Sequence, residues 1–172
     1  MKTIKKLTAL LLVGAMALSL AACGGSSKKA ITGKEFKKTL EKADFIVNKS
    51  KDKDADECYE AMYRDISSGK NTSVLISYYK FESKSMAKQC FNDTYTDLEE
   101  LEEDELFDGE MSKNSWKFTA EGEFDEDSGV NFEEAYVVGI VAEDTVLICF
   151  STTDKAGKKV LNKALDSFGY GE

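Results

Sequence analysis

The chain has 172 residues, with 23 Lys plus Arg against 32 Asp plus Glu, a formal net charge of −9, and neither His nor Pro. Without His there is no His-based triad, no His metal ligand and no ordinary pH switch, and the acidic balance argues against a nucleic-acid partner, whose phosphates need a basic stripe. A hydrophobic fraction of 42% is enough for a globular core and argues against a disordered chain.

Lys2, Lys5 and Lys6 form a basic start, and the sixteen residues from Leu7 to Ala22 carry no charge. At ~1.5 Å per residue such a helix reaches roughly 24 Å, short of a ~30 Å hydrocarbon core. The pattern reads as a secretory signal over residues 1–22, not as a membrane span. It closes on Leu20-Ala21-Ala22-Cys23, which resembles the lipobox of bacterial lipoproteins. The resemblance implies cleavage between Ala22 and Cys23, with a diacylglycerol thioether on Cys23 as the first mature residue. It also implies an extracytoplasmic protein, lipid-anchored to the cell membrane. Composition, the lipobox and the closing Leu165-Asp166-Ser167-Phe168-Gly169-Tyr170 together look like small lipoproteins of Gram-positive bacteria, a resemblance that implies no activity.

Gly24-Gly25-Ser26-Ser27 supply a flexible tether within residues 23–31, and two acyl chains suffice for durable anchoring. Loss of Lys2, Lys5 and Lys6 with the signal leaves a formal −12. A body this acidic is expected to be repelled by an anionic membrane surface. Residues 32–172 have the length of one domain.

Within that domain Thr32 and Glu35 have the spacing of a capping box, and Phe36, Leu40 and Ala43 recur on one helical face. Phe45-Ile46-Val47 is a short apolar run at the exit. Residues 57–65 fit both a helical stripe and a strand alternation. The turn Ser67-Ser68-Gly69-Lys70-Asn71 ahead of the clear strand Ser73 to Phe81 favours a strand. A helix is expected from Lys84 to Glu103, with Ala87, Cys90, Phe91, Tyr95, Leu98 and Leu101 on its inner face. Trp116, Phe118 and Ala120 alternate as a half-buried strand, and Ala135–Val141 with Thr145–Ser151 read as a hairpin. Asp154 caps a last helix, with Val160, Leu161, Ala164 and Phe168 inward and Gly169 just past its end.

These elements give an α+β fold in the order α-β-β-α-β-β-β-α: an antiparallel sheet of four to five strands packed with about three helices. Val74-Leu75-Ile76 and Val146-Leu147-Ile148 suggest a repeated ββα unit.

Candidate chemistry is sparse. Acidic runs over 97–110 and 121–134 could supply oxygens to Ca²⁺. An EF-hand loop starting at Asp125 would need Gly at 130 and Glu at 136, where the chain has Val130 and Tyr136. These runs therefore read as solvated faces. Cys58, Cys90 and Cys149 lack a Cys-x-x-Cys spacing, so no zinc set is expected. Three free thiols and one disulfide plus one thiol both fit. No spacing singles out a glycosidase carboxylate pair or a P-loop.

Tyr78 and Tyr79 point to opposite sides of their strand. One of them, with Tyr59, Tyr63 or Tyr136, could form an aromatic binding face. The alternative is that helices bury these rings. The sequence is thus read as a non-catalytic binding or interaction module for an envelope protein or peptide, with no metal and no cofactor. A small-ligand or cation-binding lipoprotein is the second reading, and a hydrolase built on carboxylates or a Ser–Lys pair the third.

Overall fold

The computed structural model describes residues 28–66 and 71–171. The signal segment, Cys23, residues 24–27 and turn residues 67–70 lie outside these. The elements are α1 (Gly33–Glu41), β1 (Ile46–Ser50), β2 (Glu57–Asp65), β3 (Thr72–Lys80), α2 (Lys84–Glu103), β4 (Phe107–Lys113), β5 (Lys117–Phe124), a 3₁₀ turn (Glu126–Ser128), β6 (Glu134–Ala142), β7 (Thr145–Ser151) and α3 (Lys155–Ser167). Over the described residues the fold is α+β, with three α-helices and a seven-stranded antiparallel sheet in the order β1-β2-β3-β7-β6-β5-β4.

The expectation of four to five strands is corrected by β1 and β4, the two sheet edges. Neither has a strong strand signature. β1 carries Asn48 and Lys49 outward, and β4 contains Asp108, Gly109 and Glu110. Edge strands bury little, and their charges discourage pairing with other chains. β4 forms because Phe107 and Met111 alternate inward from an otherwise acidic segment, Phe107 stacking at 4.7 Å on Phe124 of β5.

The helices form where the caps place them. Thr32 Oγ1 accepts from Glu35 N at 3.2 Å and the Glu35 carboxylate accepts from Thr32 N at 2.8 Å, a complete capping box. Ser83 caps α2, and Asp154 Oδ1 caps α3 by accepting from Gly157 N at 2.8 Å. Gly169 follows α3 at φ +77°, where a side chain would be strained.

Alternation along the strands sends side chains into two cores. On one face α1 and α3 cover Ala61, Val74, Ile76, Tyr78, Val138, Ile140, Leu147 and Cys149, and Phe36 stacks on Phe168 at 5.9 Å. On the other face α2 covers Phe118, Ala120, Val137 and Ile148, with Phe91 5.2 Å from Phe118. The sheet centre is the β3–β7 pair, in which Leu75 faces Phe150. Val74 and Ile76 point into the α1/α3 core, whereas Val146 and Ile148 point into the α2 core. The two similar triplets therefore present opposite faces, and the helices that follow them pack on opposite sides.

Candidate functional site

The five tyrosines do not gather on one open face. Tyr78 is fully buried under α1 and α3, and its hydroxyl donates to Ile31 O at 3.1 Å. Tyr59, Tyr63 and Tyr136 pack half-buried against the same core. Tyr79 alone points to the α2 side, where it is buried. These rings bury more area as core than they would as a surface, and α1 and α3 are close enough to cover them.

What the structure leaves open is half of the α2 face. In register across the sheet run Ile46, Met62, Leu75, Phe150, Val137, Ala120 and Met111, a single row on one side. Over β5 and β6 this row is shut: Val137 and Ala120 are 0% exposed. At its β1–β2 end no described residue closes it, and Ile46 is 68% and Met62 54% exposed. α2 packs mainly on β4, β6 and β7; on this side of β2 and β3 Cys58 and Tyr79 are buried, while Met62 and Ile46 stand open.

The boundary between the covered and the bare halves is a cleft of about 200 Å³, lined on the sheet by Leu75, Ile148 and Phe150, on α2 by Cys90 and Thr94, and on the loop by Phe132. Phe132 stacks on Phe150 at 6.1 Å. The loop is shaped by Gly129 at φ +78° and by Ser128 Oγ, which accepts from Val130 N at 3.2 Å.

The cleft is apolar, with few polar groups. Thr94 Oγ1 donates to Cys90 O at 2.9 Å, so its proton is committed to the helix. Burial pushes the Cys90 thiol up to about 12, far from a reactive thiolate. Asp97, one turn beyond Thr94 on α2, is half-buried, and desolvation, then Glu100 and Asp93, push its carboxyl up to about 6. Glu60, opposite Ser77 in register, adds an exposed acid on the same side.

Elsewhere the described residues offer little chemistry. Cys58, Cys90 and Cys149 are all free, with Cys58 Sγ 3.2 Å from Ser50 Oγ. Ser151 Oγ is buried without a hydrogen-bond partner, so no base contacts it. Among the described residues no group of three or more Cys, Asp or Glu could hold a metal ion. Asp125, in the acidic loop, uses its carboxylate to accept from Asp127 N at 2.9 Å.

The open row has no local sequence signal. Neighbours in the row Ile46–Met62–Leu75–Phe150 lie 13 to 75 positions apart along the chain, and only strand register aligns them. The chain matches no protein-family model and no curated protein.

Proposed function

We propose that this chain is a membrane-anchored extracytoplasmic lipoprotein whose domain is a non-catalytic binding module, engaging an envelope protein or peptide through the bare half of its sheet. The carrying observation is the row Ile46–Met62–Leu75–Phe150, apolar side chains in register and uncovered at its outer end. Contiguous exposed apolar surface of this kind marks interaction sites. The lipobox at Leu20 to Cys23 supports the location.

At this cleft, size favours the interaction reading over small-ligand binding. A cleft of about 200 Å³ is below the ~300–1,000 Å³ usual for a small-molecule pocket. It suits one anchoring side chain of a partner whose remainder lies over Met62 and Ile46. Glu60, on the same side of β2 as Met62, and Asp97, one turn along α2 from Thr94, favour basic residues flanking that anchor.

The test is a photo-crosslinking residue at Met62 in the producing cells, with Ser112 on β4 as control position. A discrete adduct from position 62 that is missing from position 112 supports the module and identifies its partner. Equal adducts at both positions, or none at either, overturn it.

A further inference from the structure

The net charge is divided unevenly between the segments that hold α1 and α3 and the rest of the chain, although strand acids such as Glu121, paired with Lys158, also lie on the α1/α3 side. Residues 28–44 and 153–171, which hold α1 and α3, carry ten Lys and five acids. The remainder of the chain beyond the signal carries ten Lys plus Arg and 27 acids. Both basic helices lie on the same side of the sheet, tied by Phe36 on Phe168.

The lysines are ordered. Phe36 and Leu40 are the buried side of α1, and Lys34, Lys38 and its C-cap Lys42, at i, i+4 and i+8, are all exposed. On α3 the buried residues are Gly157, Leu161, Ala164 and Leu165, and Lys155, Lys159 and Lys163 stand exposed at the same spacing. Those three, with Lys158, line an open basin along α3. Like charges at i, i+4 repel along a helix, and an external anion laid along either row would relieve that repulsion.

The chain enters on this side. Lys28 Nζ donates to Gly169 O at 3.4 Å, and Tyr170 OH donates to Lys29 O at 2.7 Å. Four residues lie between Cys23 and Lys28, so the five chain steps reach at most ~18 Å. An acyl group on Cys23 would thus hold the bilayer near α3.

We infer that the α1/α3 face is a membrane-docking surface, its two lysine rows resting on anionic lipid headgroups while the bare sheet face points away from the bilayer. This rests on the anchoring proposed above. It also revises the expectation of simple repulsion: the acids responsible lie mostly outside α1 and α3.

The test uses the protein purified from cell membranes and reconstituted into vesicles of phosphatidylcholine, with or without about one-third phosphatidylglycerol. A water-soluble amine-acylating reagent is applied and each lysine read by mass spectrometry. Labelling of Lys34, Lys38, Lys155, Lys159 and Lys163 should fall about threefold or more on the anionic vesicles and recover in about 1 M salt. Lys51 and Lys84 should label equally on both. A Lys159→Glu, Lys163→Glu variant should lose the protection. Equal labelling of the helix lysines on both vesicles, with Cys23 acylated in the N-terminal peptide, would overturn the docking surface alone. An unmodified Cys23 would overturn the anchoring and the docking surface with it.

Discussion

Phe118 of β5 occupies the space that a side chain on Gly139 of β6 would fill. The two are directly opposite in register, and the ring is fully buried, 5.2 Å from Phe91 and 5.5 Å from Tyr95. A methyl at position 139 would force this ring against α2. Gly139→Ala should therefore destabilise the domain by about 1–3 kcal/mol, measured as a lower urea midpoint. An unchanged midpoint would mean that the α2 layer yields freely.

The open face and the α1/α3 core make opposite predictions. Met62 is 54% exposed and Ile76 is 0% exposed. Met62→Lys should change stability by no more than about 0.5 kcal/mol, as surface substitutions do. Ile76→Ala should cost about 2–5 kcal/mol, as buried truncations do. A large loss from Met62→Lys would show that the row is kept for folding and not for contact.

Asp97 gives stability a pH dependence of definite sign. Its carboxyl, with an ordinary value of 3.8, is raised to about 6 by burial, then by Glu100 and Asp93. The folded protein thus holds this proton more tightly than the unfolded one. Its contribution to stability is intact in acid and falls as pH rises from about 4 to about 6. Asp97→Asn should raise stability at about pH 8 by about 1 kcal/mol, after allowance for water at a half-buried site, and change little at about pH 4. Denaturation at the two pH values checks this, and an equal effect at both would refute it.

The thiols should be quiet. Burial raises the Cys58, Cys90 and Cys149 thiols, and Cys149 is the most enclosed. An aromatic disulfide reagent at about pH 8 should react slowly with native protein, because the thiolate is the nucleophile. The same reagent should titrate all three described thiols in urea. Fast native reaction of Cys90 would show that the cleft opens.

Much of the fold was legible where local chemistry decides it. Thr32 with Glu35, Asp154 and Gly169 mark their helix ends by short-range hydrogen bonding and backbone preference, and the structure places each there. The stripe from Ala87 to Leu101 gave α2 its extent, Lys84–Glu103. β1 and β4 were not legible, because an edge strand is set by its neighbour's hydrogen bonds and not by its own side chains. The candidate site was hidden for a related reason. Tyr59, Tyr63, Tyr78, Tyr79 and Tyr136 could be assigned to sides of strands, but whether a helix covers a side depends on where α1, α2 and α3 settle. Leu75 and Phe150 became neighbours only through the pairing of β3 with β7.

That pairing also sets an order for folding. β3 ends at Lys80, and its central partner β7 does not begin until Thr145. A chain emerging N-terminus first presents β1 to β3 with one side of β3 unpaired until almost the whole protein has been made. Phe36 and Tyr78 likewise wait for Phe168 and Tyr170, which come after α3. Long-range closures of this kind are slow and leave sheet edges exposed meanwhile. Quality control therefore meets a nearly complete but open chain, and loss of the last two elements would remove the centre of the sheet together with its end.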